Sequence, residues 1–128
     1  MITVPLPPAG SVVTELTRGM IGARELGLLR PGAVLINTAR GAVVDERALV
    51  DAVLAGRIHA GLDVFWDEPE VPPALRRCEN VLLSPHAGSA TASTREAMTR
   101  LCVDNVRAVV SGRVAAHLVP EQRGLFDD

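Results

Sequence analysis

Four short apolar runs separated by segments of helical pattern most constrain what this chain can fold into. They fall at about 2–5, 33–37, 59–64 and 81–83. Each is too short for a buried helix, and each is bounded by turn-forming residues, as Pro31-Gly32 bounds the second. Runs of this kind alternating with helices argue for a parallel sheet with helices on its faces. Between the runs, the pattern predicts a short helix capped by Thr14 and running through Leu16 and Ile21, and a second piece from Ala23 to Leu29. Asp45 is read as the N-cap of a helix from Glu46 to Leu54, with Ala48, Leu49, Ala52 and Val53 as its apolar stripe and Gly56 as its left-handed stop. Ser93-Thr-Arg-Glu96 reads as a capping box opening a long helix to about Ser111, with Met98, Leu101, Cys102, Val106 and Val109 inward and Gly112 ending it. Pro7 to Ser11 and the proline-rich stretch 69–79 read as loops.

In an open parallel sheet, ligands bind beyond the carboxyl ends of the strands. Three of those ends carry ionisable groups. Arg40 follows the second run, Asp63 and Glu68 follow the third, and His86 follows the fourth. A guanidinium can grip a carboxylate with two parallel hydrogen bonds. An imidazole can give or take a proton near neutral pH, and a carboxylate beside it favours the protonated form. Taken singly, each has an ordinary explanation: a solvated arginine, a turn glutamate before Pro69, a loop histidine bonded to a carbonyl. Their recurrence at successive strand ends points instead to one crevice holding an anion clamp, an acid/base and its charge partner. Pro85 stiffens the approach to His86, and Gly88 leaves room for a close approach to the backbone. His59 and His117 lack this context and read as structural or exposed.

The chain has 128 residues, enough for one domain with a core. Only Phe65, Trp66 and Phe126 are aromatic, so that core is built from Leu, Val, Ile and Ala. The formal charge of −2 suggests no nucleic-acid surface and no polybasic membrane anchor. No apolar stretch approaches the length of a membrane span. Cys78 and Cys102 lie far apart, without metal-ligand spacing, and read as reduced thiols of a cytoplasmic protein.

Three segments resemble the NAD-dependent D-isomer-specific 2-hydroxyacid dehydrogenases. They are Pro31-Gly-Ala-Val-Leu-Ile-Asn-Thr-Ala-Arg-Gly-Ala-Val-Val-Asp-Glu46, Ala60-Gly-Leu-Asp-Val-Phe65 with Asp67-Glu-Pro69, and Asn80-Val-Leu-Leu-Ser-Pro-His-Ala-Gly-Ser89. The likeness runs from about Thr3 to Gly112. It implies an α/β fold: a partial Rossmann-like parallel sheet of about four strands, the C-terminal half of an NAD-binding domain over residues 1–112, with 113–128 as a tail. It implies hydride transfer between NAD, or NADP, and a 2-hydroxy or 2-oxo acid. By this resemblance Arg40 binds the substrate carboxylate, His86 is the acid/base, and Glu68 keeps that histidine protonated. Thr38, Ala39 and Arg40 line the nicotinamide side of the cofactor, Asp63 matches the aspartate near its carboxamide, His86 and Gly88 also bind the cofactor, and Leu6-Pro7 pass along it. Pro5 departs from the histidine many members carry, and the loop from Pro8 to Val13 is longer than usual.

No Gly-x-Gly-x-x-Gly occurs in the sequence. That turn, which cradles the pyrophosphate, belongs to the first half of a dinucleotide fold. The expectation is therefore a chain lacking the first mononucleotide half, whose first strand has a bare edge that favours homo-oligomerisation or dependence on a missing N-terminal portion. The alternative is a non-catalytic remnant or binding module of the same fold, including a corepressor-like dinucleotide sensor.

Overall fold

The structure is a computed structural model. It describes the backbone of residues 2–4, together with residues 13–119, 122 and 124. Its elements are β1 (Ile2–Val4), α1 (Ala23–Gly27), β2 (Ala33–Asn37), α2 (Glu46–Leu54), β3 (Ile58–Leu62), β4 (Val81–Leu83) and α3 (Ala92–Val110), with 3-10 turns at Gly41–Val43 and Leu75–Arg77. By compactness the chain divides into Met1–Gly88 and Ser89–Asp128. Gly112, where the sequence places a boundary, lies in the turn that ends α3.

The first unit carries a four-stranded, wholly parallel sheet in the order β1-β2-β3-β4. Its register follows from the side-chain period of two. Ala33 pairs with Ile58, Leu35 with Ala60 and Asn37 with Leu62, and all six are buried. Leu26 of α1 and Leu49, Ala52 and Val53 of α2 join them in one core, with Val43, Val44, Phe65 and Leu75 filling its margins. The other row, Ile36–Gly61–Leu82, is half-buried to exposed, with Leu82 76 % exposed.

Helix α2 forms as its local signals require. The Asp45 carboxylate accepts from the Ala48 amide at 2.8 Å, satisfying one of the orphan donors of the first turn. Gly56 then turns the chain out at φ +66°.

The helix expected from Thr14 through Ile21 does not form. Thr14 caps only a turn, its carbonyl accepting from the Thr17 and Arg18 amides. Beyond it, the Gly19 amide donates to Ala42 and the Ile21 amide to Val43, and Ile21 bridges Val44 in parallel. Long-range pairing has captured the amides that a helix would use internally. In the second unit, Thr91 rather than Ser93 caps α3, accepting from the Thr94 amide at 3.2 Å. Glu96 pairs with Arg100 at 2.9 Å instead of closing a capping box. The inward stripe expected at Met98, Leu101, Cys102, Val106 and Val109 is exposed, because the described residues of Ser89–Asp128 offer no second layer to cover it. Gly112 ends the helix at φ +70°. Cys78 and Cys102 are free thiols. No helix among the described residues is long and apolar enough to cross a membrane.

Candidate active site

The site is built from the turns that leave β2, β3 and β4. Asn37, the last residue of β2, is 1 % exposed. Its side-chain amide accepts from the Ala39 backbone at 3.0 Å and donates to the Arg40 carbonyl at 3.0 Å. This local clamp folds Thr38-Ala39-Arg40 into a tight turn and frees the chain from the sheet. Thr38 and Arg40 face outward, and Ala39 is buried. The Arg40 guanidinium donates to the Ala39 carbonyl at 2.7 Å. Gly41 follows because nothing larger fits: a Cβ there would lie 2.2 Å from the carbonyl carbon and oxygen of Phe65. The Arg-Gly pair thus brings the β2 turn against the β3 turn.

After β3, the Asp63 amide donates to the Asn37 carbonyl at 3.0 Å. The Asp63 carboxylate is buried, and its two oxygens accept from the Ala87 and Gly88 amides, each at 2.8 Å. The Phe65 amide donates to Glu68 Oε1 at 3.0 Å. The other oxygen, Oε2, meets His86 Nδ1 at 2.6 Å. The Trp66 indole donates to the Val44 carbonyl at 2.6 Å, pinning the loop between Phe65 and Glu68.

After β4, the Ser84 amide still donates to Leu62, and the His86 amide donates to the Ser84 carbonyl at 3.0 Å. His86 sits in the left-handed region at φ 51°, a costly conformation for a residue with a Cβ. Arg40, Glu68 and His86 line one open hollow of about 290 Å³, with Phe65 and Trp66 among its apolar walls. The three ionisable groups expected at successive strand ends therefore meet in one place.

The electrostatics agree with the contacts. The hydrogen bond from His86 holds the Glu68 carboxyl below its ordinary range, helped by the Phe65 amide and by the charges of His86 and Arg40, against a smaller upward push from burial. For Asp63 burial pushes up most strongly. The Ser84 side chain, the Ala87 and Gly88 amides and the His86 charge together outweigh it, and its carboxyl too is held low. Opposite the Glu68 carboxylate, Nδ1 is the ring nitrogen of His86 placed to donate.

Asn37 was not anticipated as a site residue, although an Asn at a strand end, two residues before the amide it accepts, is a readable turn signal. Gly88 was read as leaving room for a close approach, and the group that approaches is Asp63: a Cβ on Gly88 would lie 2.9 Å from Oδ2. Thr38 is exposed on the turn that presents Arg40, outside the lining of the hollow. Leu6 and Pro7 lie outside the described residues. His59 and His117 are exposed, and neither lines the hollow.

The family model for the D-isomer specific 2-hydroxyacid dehydrogenase NAD binding domain matches residues 10–88. The chain belongs to that family. A dehydrogenase relative, the glyoxylate reductase of Thermococcus litoralis, is 48% identical over 108 residues, covering 84% of this chain and 33% of its own. Glyoxylate/hydroxypyruvate reductase B of Enterobacter agglomerans is 47% identical over 112 residues, 86% of this chain and 35% of its own. Among solved structures, the NADPH-dependent glyoxylate/hydroxypyruvate reductase of Sinorhizobium meliloti in complex with NADP and malonate superposes with a TM-score of 0.79 at 49% identity, over 84% of this chain and 34% of that one. The chain spans about a third of the length of the dehydrogenases it matches.

Proposed function

We propose that this chain carries the proton-transfer and carboxylate-binding part of an NAD(P)-dependent reductase of small 2-oxo acids, glyoxylate and hydroxypyruvate foremost. The observation that carries the reading is the 2.6 Å His86–Glu68 pair in a hollow shared with Arg40. The names of the relatives and the NADP and malonate bound to the Sinorhizobium meliloti enzyme support it. In this reading the Arg40 guanidinium clamps the substrate carboxylate and draws charge toward the carbonyl oxygen. His86 Nε2 gives its proton to the alkoxide as the carbonyl is reduced, and Glu68 holds the imidazolium in place through Nδ1. A bound nicotinamide supplies the hydride. By the family resemblance Thr38, Ala39, Arg40, Asp63, His86 and Gly88 would hold the cofactor; of these Arg40 and His86 line the hollow. The free thiols Cys78 and Cys102 suit a reducing compartment such as the cytoplasm.

The companion reading is that the chain associates, with a second copy or with the remainder of a longer polypeptide. Exposed Leu82, and in α3 exposed Met98, Leu101 and Val106, support it. Sedimentation as a cooperative, stable monomer would count against this part.

The functional test is glyoxylate-dependent oxidation of NADPH and NADH. Turnover is expected to fall about 10²–10⁴-fold in His86→Gln. In Arg40→Lys the loss should appear in kcat/KM for the 2-oxo acid, since a point charge replaces a planar fork. Undiminished turnover in His86→Gln overturns the reading. Dinucleotide binding without turnover would favour instead a non-catalytic binding module of the same fold.

A further inference from the structure

We infer that Asp63 is a positioning residue: its carboxylate, accepting the Ala87 and Gly88 amides, fixes the backbone turn that holds His86 against Glu68. The inference rests on the proposed function for the claim that His86 transfers a proton, but not for the geometry.

His86 lies in the left-handed region at φ 51°, and a residue with a Cβ stays there only where its surroundings over-determine it. Three contacts do so. The His86 amide donates back to Ser84, and the two amides that follow it are both taken by Asp63 at 2.8 Å. Successive amides pointing at one spot call for an acceptor with two oxygens, which a carboxylate provides and a carboxamide does not. Asp63 can hold them firmly because it is itself fixed: its backbone amide donates to the buried end of β2, and its side chain is buried, the residue being 7 % exposed. Asn37 and Asp63 are the only buried polar side chains among the described residues. Each holds the turn that presents one of the hollow's ionic groups, Asn37 for Arg40 and Asp63 for His86. Gly88 fits the same arrangement, since a Cβ there would lie 2.9 Å from Asp63 Oδ2 and would push amide and carboxylate apart.

The consequence reaches Glu68 through His86. The groups facing the Glu68 carboxyl are His86 and Arg40, with the Phe65 amide on its other oxygen. Of these, only His86 is carried by the turn that Asp63 holds.

The test uses Asp63→Asn and Gly88→Ala in the full chain without cofactor, with two readouts by NMR. The first is hydrogen exchange at the Ala87 and Gly88 amides, expected to quicken about tenfold or more in Asp63→Asn. The second is the Glu68 side-chain carboxyl titration, expected to move up toward the ordinary carboxylate range in both variants as the His86 contact slackens. Asp45→Asn, which removes the carboxylate that caps α2, is expected to move neither. If Asp63→Asn does not fold, Gly88→Ala decides, because it leaves the carboxylate in place. Folded variants with an unmoved Glu68 titration overturn the inference. If the titration moves but the parent protein turns over no 2-oxo acid, the positioning role stands and the catalytic reading fails. If both stand, kcat should fall about tenfold or more in Asp63→Asn with KM for the 2-oxo acid, set by Arg40, little changed.

Discussion

Helices α2 and α3 carry the same kind of sequence information and use it differently. A side-chain oxygen caps each one, Asp45 in α2 and Thr91 in α3, a glycine at positive φ follows each, and apolar residues recur along both at helical spacing. Yet α2 buries Leu49, Ala52 and Val53, whereas α3 buries none of its residues. An apolar stripe specifies a face; burial requires a second layer. Within Met1–Gly88 the sheet provides that layer for α2, and the described residues of Ser89–Asp128 provide none for α3. Every described residue of the proposed site falls in the first unit, where the core that can hold it lies.

This difference can be measured with paired truncations. Leu49→Ala removes a fully buried side chain and is expected to destabilise the protein by about 2–5 kcal/mol in urea unfolding. Leu101→Ala makes the same chemical change at a site 46 % exposed and is expected to stay within about 0.5 kcal/mol. Equal effects would mean that α3 is buried in solution. Gly41→Ala comes next. Its Cβ meets the Phe65 backbone, which has no flexible end to yield, so a loss of about 1–3 kcal/mol or more is expected, together with weaker substrate binding as the Arg40 turn shifts.

Two asparagines make a smaller comparison. Asn37→Ala strands the buried Ala39 amide and is expected to cost about 1–3 kcal/mol. Asn105 of α3 holds the His117 backbone at 3.3–3.4 Å on the surface, and Asn105→Ala is expected to cost less than about 1 kcal/mol because water replaces the lost partner. The smallest effect is in pH. Asp63 and Glu68 both have carboxyls held below the ordinary range. Their contribution to stability is therefore complete above the unfolded-state carboxylate values and is lost as pH falls through the folded ones. Urea midpoints should drop on acidification, and the drop should be shallower in Glu68→Gln than in the parent.

Much of this fold is legible from local signals. The ends of β2 and β4, the Asp45 cap and the Gly56 stop all fall where residue chemistry puts them, because each depends on neighbours within a turn. The segment after Thr14 departs from its helical pattern for the opposite reason: its fate is decided by pairing with 42–44, far along the chain. The three ionic groups of the hollow could be found because strand ends in a parallel sheet share one rim, which makes sequence order a guide to proximity. Where the oxygens of Asp63 point could not be found that way, since their partners come from the turn after β4. Asn37 carries a local signal, since both of its partners lie within three residues of it.

We propose that the hollow of Arg40, Glu68 and His86 receives a small oxyacid. The most direct measurement is titration of the protein with malonate in the presence of NADPH, followed by NMR at the Arg40 guanidinium, the His86 ring and the residues of α3. Saturable shifts at Arg40 and His86 with α3 unmoved are expected, and they should be abolished at Arg40 by Arg40→Lys. Shifts that bypass Arg40 and His86, or that appear only within Ser89–Asp128, would contradict it.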